Sequence, residues 1–337
     1  MRSGGLSRHK RSDAVSGRTL TQGEALLVRV LIGLALYQGA EHIGAQLDSI
    51  ARQTHMDWRL VVSDDGSDDA GPLIVRDFAA AWPDGQVTLV AGPGKGAAQN
   101  FLSLLDHARD GEVMAFADQD DVWHNDKIAR GLAALDANPG AGVYCARTTI
   151  CDSALNPLTV SRHFEGPFDF RNALIQAVTA GNTLVLRPET VALARRAAPA
   201  AAQAGIESHD WWIYQIATGA DLGIIRDQAE VLLYRQHSDN LKGRNDTFGA
   251  MRARVGQLFA GEYGNWLHAN VAALLGAEGE LTPDNRIILH RFNAALQMPG
   301  PRMALALRRL GIRRQTAAGT VAFYAAALAG RLRRTPE

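Results

Sequence analysis

Three carboxylates crowd the end of one apolar run, where Val113-Met114-Ala115-Phe116-Ala117 passes directly into Asp118-Gln119-Asp120-Asp121-Val122-Trp123. Like charges this close repel, so the cluster is costly unless water or a cation screens it. Oxygen-only ligands suit a hard divalent ion, Mg²⁺ or Mn²⁺, which commonly also binds a substrate diphosphate. The competing reading of such an Asp-x-Asp pair is a solvated turn that caps the following helix. A second acidic group, Ser63-Asp64-Asp65-Gly66-Ser67-Asp68-Asp69, follows the apolar run Trp58–Val62. Asp, Gly and Ser in that order also suit a plain turn with a helix cap. A further carboxylate, Asp210, stands in Ser208-His209-Asp210-Trp211-Trp212, ahead of a helical run that it is placed to cap.

These groups need a scaffold that brings them together. Leu26–Leu36 reads as a first strand, broken by Tyr37-Gln38-Gly39, and His42–Gln53 carries apolar residues at helical spacing. Trp58–Val62 is a second strand, followed by a helix from Leu73 to Trp82 and a third strand over Val87–Ala91. The loop Gly92-Pro93-Gly94-Lys95-Gly96, a helix over Asn100–Arg109 and the Val113 strand come next. Strand and helix alternate four times, which argues for βαβ units and a doubly wound sheet. Strands of such a sheet read as continuous apolar runs because helices cover both faces. Ligands bind beyond the carboxyl ends of those strands, so Asp65 and Asp120 are expected at one sheet edge.

Further along, a helix to Ala137, a strand over Gly142–Ile150, an excursion over Asp152–Asp169 and a helix over Phe170–Val178 are expected. A short strand over Thr183–Leu186 and another over Glu230–Tyr234 follow, the latter running into Arg235-Gln236-His237-Ser238-Asp239-Asn240. Beyond Asp246 the composition turns rich in Ala, Leu and Arg, and prolines divide it into three helical units. The expected organisation is therefore a disordered basic tail over 1–24, an α/β domain over 25–245 and a helical C-terminal region over 246–337. The 337 residues carry equal numbers of basic and acidic side chains, so bulk charge does not indicate a nucleic-acid partner. Two cysteines without Cys-x-x-Cys spacing fit a reducing compartment, and no apolar run reaches the length of a membrane span. A cytoplasmic location is the expectation.

Taken in order, Tyr-x-Gly, Asp-Asp-Gly-Ser-x-Asp, a Gly loop with Asn-Phe, Asp-Gln-Asp-Asp-x-Trp, His-Asp-Trp-Trp and Tyr-Arg-x-His form a recognisable series. It resembles the inverting family 2 glycosyltransferases of the GT-A fold, especially their bacterial rhamnosyltransferase-like branch, over roughly Leu26 to Asn240. The resemblance implies a Rossmann-like GT-A domain with a mixed, mostly parallel sheet and a C-terminal helical extension. It also implies roles. Tyr37 would stack on the nucleobase of a nucleoside diphosphate sugar, and Asp65, with Asp64 beside it, would accept a hydrogen bond from the base. Asp118 and Asp120 would hold Mg²⁺ or Mn²⁺ against the donor diphosphate, with His237 completing the shell and Arg235 facing the diphosphate or pairing with an acid. Asp210 would be the general base that deprotonates a hydroxyl of a glycan or lipid-linked oligosaccharide acceptor. Rhamnose on dTDP is the donor that the branch suggests, in surface polysaccharide assembly.

One departure is Gln38, where the family usually has Asn. Lys127 reads as either a solvated helix residue or a phosphate contact. Rival readings are a nucleotidyltransferase, which shares the sheet and acidic site but needs no base at Asp210, and a cation-dependent carbohydrate-binding module without catalysis. Arginines interleaved with apolar residues over 304–314, and again after an apolar 316–330, give the C-terminus two readings. One is a helix packed on the catalytic domain; the other is a basic interfacial helix in peripheral contact with anionic membrane.

Overall fold

The computed structural model describes residues 28–236 and 262–333. The tail expected over 1–24, the boundary expected at 245/246 and His237 lie outside these residues. Four strands, β1 (Val30–Leu36), β2 (Trp58–Asp64), β3 (Val87–Ala91) and β4 (Val113–Ala117), run parallel in the order β3-β2-β1-β4. The sheet continues through β8 (Val185–Leu186), β6 (Ala141–Cys151), β9 (Gly223–Arg235) and β5 (Val122–Trp123), with β7 (Pro157–Val160) pairing to β6. The long ladders are parallel; the antiparallel ones, at β4–β8, β5–β9, β6–β7 and β6–β8, are two or three pairs long.

Alternation along the strands sorts side chains onto two faces, as the pleat requires. Val30, Ile32, Leu34 and Leu36 of β1 and Val113, Ala115 and Ala117 of β4 enter one core. Leu31, Met114 and Phe116 enter the other. Helices α1 (Ile43–Ala51), α2 (Gly71–Ala79) and α4 (Lys127–Ala137) contribute to the first core, and α3 (Ala97–Leu104) to the second. The second core also takes in α6 (Pro188–Ala204), α7 (His209–Gly219), α8 (Glu262–Gly276), α9 (Pro283–Leu296), α10 (Gly300–Arg309) and α11 (Ala317–Leu328). The C-terminal helices are thus packed on the sheet domain through Leu267, Phe292, Met303, Leu307 and Phe323.

Several elements differ from the sequence expectation. The helices expected to begin at Leu73 and Asn100 begin at Gly71 and Ala97, and the second ends in a 3₁₀ turn over Leu105–His107. The helix expected over Phe170–Val178 is the single turn α5 (Phe170–Ala173), after which Ile175 N–H bonds back to Asn172 and tightens the chain out of α-geometry. The strand expected from Glu230 starts at Gly223, because β9 pairs with β6 from that residue onward. Among the described residues four C-terminal helices stand where three were expected, α11 being set off by Thr316, whose hydroxyl caps its first turn. The long α6 was not among the expectations; it holds Pro199, a residue that usually ends a helix.

Beneath the first strands lies one buried ion pair. Arg59 of β2 reaches both carboxylate oxygens of Glu112, just before β4, and also donates to the carbonyl of His107. Both side chains are buried. Burial pushes the Glu112 carboxyl up, but the Arg59 hydrogen bonds and the Arg109 N–H outweigh it and leave the group below its ordinary range. Removing one partner of a buried pair strands the other charge and typically costs about 3–5 kcal/mol. Glu112→Ala is therefore expected to lower unfolding free energy by about 3 kcal/mol or more in urea titration. A carboxyl held below its unfolded value stabilises above that value, near 4.3, and loses its contribution as pH falls through the folded one. The difference between wild type and variant should accordingly shrink below about pH 4; a variant as stable as wild type at pH 7 would show the pair to be inert.

Candidate active site

The carboxyl ends of β1, β2 and β4 lie side by side, and the turns that follow them are stitched to one another. Tyr37, just past β1, is 57% exposed, so it is not the core aromatic its strand-end position could have made it. Its backbone is fixed on both sides: Gln119 accepts from the Tyr37 N–H at 2.8 Å and donates to its carbonyl at 2.9 Å. Gly39 leaves room for that amide, since a Cβ there would lie 2.5 Å from Gln119 Oε1. Gln38 takes φ = +49°, a region in which Asn is favoured over Gln, which gives the usual family residue a conformational reason. Its N–H bonds Ser67 Oγ and its side chain bonds Asp68.

The turn after β2 divides its carboxylates by task. Asp64 accepts from the Ser67 N–H within its own turn. Asp69 accepts from Ala40 N–H and Gly71 N–H, so it joins the β1 turn to the start of α2, the structural role its turn setting suggests. Asp65 is held on both oxygens by backbone N–H groups, Gly94 and Gly96, each at 2.7 Å. The Gly92–Gly96 loop therefore turns N–H groups toward a carboxylate of the protein itself. Asp65 keeps further lone pairs on both oxygens for a ligand donor.

Beyond β4, Asp118 and Asp120 are half-buried and Asp121 is fully buried. Burial, then Asp118 and Asp120, push the Asp121 carboxyl well above its ordinary range, against Asn182 and Lys127. Asn182 Nδ2 donates to Asp121 Oδ2 at 2.7 Å. Lys127 is neither solvated nor in reach of solvent phosphate. It is fully buried, with Nζ 3.3 Å above the Trp123 ring centroid. Burial lowers its pKa to about 7, opposed by Asp121 and Asp118. Arg235 is also buried; its Nε donates to the Asp120 carbonyl at 3.1 Å and its Nη1 to the Ser153 carbonyl. These bonds make it a brace of the acidic turn.

Asp210 lies at the second position of α7, and the N-cap expected of it is Ser208. The Asp210 carboxylate accepts from the Trp211 N–H at 2.8 Å and from the Ser208 hydroxyl. Every residue of α7 is buried, so Asp210 is on a helix that packs on all sides. The His209 ring stacks on Phe101 at 3.9 Å and meets Phe116 edge-on at 5.1 Å. Phe116 belongs to β4, two residues before Asp118. Helix α7 thus leans on the strand that carries the acidic turn.

A divalent ion is implied by this chemistry. Among the described residues no group of three or more His, Cys, Asp or Glu converges on a point. Mg²⁺ is typically held by one or two carboxylates plus substrate phosphates, so Asp118 and Asp120 fit an ion shared with a diphosphate. Asp121 adds a buried Oδ1 without a hydrogen-bond partner at the same turn. His237, expected as a further ligand, lies outside the described residues. Gln119, Gly181 and Asn182 were not singled out from sequence; Gln119 is the variable middle of Asp-x-Asp, and Gly-Asn reads as an ordinary turn.

Residues 32–198 match the family model for glycosyl transferase family 2. Over 231 residues the chain is 30% identical to the dTDP-rhamnosyl transferase RfbG of Shigella flexneri, covering 66% of this chain and 78% of that protein. Over 101 residues it is 34% identical to the UDP-Glc:alpha-D-GlcNAc-diphosphoundecaprenol beta-1,3-glucosyltransferase WfgD of Escherichia coli, covering 29% of this chain and 38% of that one. The fold is shared with residues 1–349 of S. aureus TarS, solved in complex with UDP-GlcNAc, at TM-score 0.52 and 13% identity over 92% of this chain and 93% of that one. With the motif order and the GT-A sheet agreeing, the nucleotidyltransferase and binding-module readings fall away: the chain belongs to glycosyl transferase family 2 and uses nucleoside diphosphate sugar donors.

Proposed function

We propose that the protein transfers a single sugar, rhamnose from dTDP-rhamnose, with inversion, to a hydroxyl of a glycan or lipid-linked glycan in surface polysaccharide assembly. The observation that carries this reading is the pairing of an acidic turn with Asp210, a buried carboxylate on a helix packed against the same strand. Similarity to RfbG supports the donor, and similarity to WfgD supports a lipid-linked acceptor. Tyr37 would offer its exposed face to the base, with Asp65 and Asp64 accepting from the base and its neighbourhood. Asp118 and Asp120, with His237, would hold Mg²⁺ or Mn²⁺, which when bound neutralises the diphosphate and eases its departure. Asp210 takes the proton of the acceptor hydroxyl while that oxygen bonds to the anomeric carbon and the bond to the diphosphate oxygen breaks.

A panel of nucleoside diphosphate sugars, followed by nucleoside diphosphate release, tests this directly. Release from dTDP-rhamnose that needs divalent cation, is slow with water alone and is accelerated by the glycan acceptor is expected, with EDTA and Asp120→Ala abolishing it. Full turnover without divalent cation would remove the metal role. Asp210→Asn is nearly isosteric and should keep donor affinity while losing transfer about 10²-fold or more, the usual scale for a general base. Wild-type turnover by that variant would leave Asp210 a structural carboxylate.

A lipid-linked acceptor would bring the enzyme to the inner face of the cell membrane, and we propose peripheral contact there. Among the described residues no helix is long and apolar enough to cross a membrane. Helix α11 is twelve residues long and carries no charged side chain, yet Val321 is 69% and Leu328 55% exposed. A helix apolar all round is normally buried. Exposed Arg302, Arg308 and Arg309 on α10 and Arg331 and Arg333 beyond α11 frame it. A second copy would bring like charges, whereas anionic lipid complements them, with each basic residue near the surface worth about 1 kcal/mol. Co-sedimentation with anionic liposomes should occur at low salt, weaken at high salt and be lost on Val321→Glu with Leu328→Glu. Absence of binding at low salt would refute it.

A further inference from the structure

The turn Ala180–Thr183 touches both halves of the candidate site. On one side Asn182, 4% exposed, donates to Asp121 Oδ2 at 2.7 Å. On the other, Gly181 lies against α7: a Cβ there would be 2.5 Å from His209 Nε2 and 3.5 Å from Asp210 Cβ. Thr179 Oγ1 donates to the Asp210 carbonyl at 3.0 Å, so the chain entering the turn holds the same helix. The turn is itself anchored. Thr183 is fully buried, its hydroxyl donating to the Ala180 carbonyl at 2.8 Å and accepting from the Ala146 N–H of β6 at 3.2 Å. The His209 ring is pinned on its other faces by Phe101 and Phe116 and has little freedom to retreat from an added methyl.

We infer that Gly181 and Asn182 form a positioning wedge that sets the acidic turn and the Asp210 helix at their working separation. Asn182 acts through Asp121 on Asp118 and Asp120; Gly181 acts through His209 on Asp210. Neither touches substrate. The inference rests on the roles proposed above for the acidic turn and Asp210, and it adds a division of labour between adjacent residues. Partners that orient ligating groups are commonly worth 10–100-fold in metal affinity or activity. Displacing a reacting group by about 1 Å costs on the order of 10²-fold in rate.

The two residues should therefore fail differently. Asn182→Leu keeps volume but removes the donor. It should weaken Mn²⁺ binding in the presence of dTDP, read by electron paramagnetic resonance, about tenfold. It should also speed hydrogen exchange of the Asp118–Asp121 amides in metal-free protein. Asn182→Ser, which restores a donor, should recover part of both. Gly181→Ala should leave Mn²⁺ binding unchanged and slow dTDP release from dTDP-rhamnose, with water as acceptor, about tenfold or more. In a double-mutant cycle, Gly181→Ala should cost nothing further once His209→Ala has removed the ring that its methyl meets. Additive losses in the cycle, or equal loss of metal binding and turnover in both variants in step with melting temperature, would reduce the wedge to ordinary core packing. Wild-type behaviour of both variants alongside inactive Asp120→Ala and Asp210→Asn would overturn the wedge alone. Activity retained by Asp120→Ala and Asp210→Asn would instead overturn the reading beneath it.

Discussion

Carboxylates gathered out of water need hydrogen bonds or cations to stay there, and the end of β4 gathers three within four residues. Much of the surrounding structure answers that demand. Asn182 donates to Asp121 from the turn just before β8. Arg235, at the end of β9, holds the Asp120 carbonyl, so the shape of the turn is set by a residue 115 positions away. Lys127 brings its ammonium group to the inner side of the cluster and rests on Trp123, where burial and the acids oppose each other over its charge. Gln119, between two of the acids, ties the turn to the backbone of Tyr37. The acidic turn is the point to which β1, β4, β9 and the Ala180–Thr183 turn are all fastened.

The same arrangement explains what could be read from the chain. β1, β2 and β4 are runs buried on both faces, and the alternation of the first four strands with helices was legible without any long-range information. Tyr37, Asp65 and Asp120 share one edge because parallel strands put all their carboxyl ends together. Elements defined by a distant partner were not legible. β5 is two residues long and exists through pairing with β9, while the first half of β9 is a half-exposed, partly charged stretch made a strand by β6.

Side-chain environment was harder still. Lys127 reads as a solvated helix residue or a phosphate contact from its type, and its burial follows from Trp123, α1 and the residues just after α1: Gln53 accepts from the Ile128 N–H, and Ser49 from the Trp123 N–H. The Gly92–Gly96 segment reads as a plain loop, yet two of its N–H groups, those of Gly94 and Gly96, face an anion, the Asp65 carboxylate. Asn182 and Gly181 carry no pattern at all. Their importance is visible only once Asp121 and His209 are in place on either side.

The C-terminal helices look separable in sequence, since composition changes abruptly after Asp246. In the structure they close the outer side of the helix that carries Asp210. Trp211 stacks on Tyr263 of α8 at 6.2 Å, and the Tyr263 hydroxyl donates to the Ile175 carbonyl beside α5. The far end of α7 is covered too, where Thr282 N–H bonds to the Gly219 carbonyl and Leu281 fills the space that a side chain at Gly219 would need. Arg313 and Arg314, which one of the two sequence readings would turn toward a membrane, are engaged inward: Arg313 pairs with Asp169, and Arg314 lies over the Tyr263 ring. Helix α7 is buried on every face because these helices supply the last one. A carboxylate placed on a helix is only as well aimed as the helix is fixed. The extension is therefore part of the scaffold that holds Asp210, and its remaining exposed arginines and apolar residues are what it has left for a surface beyond the protein.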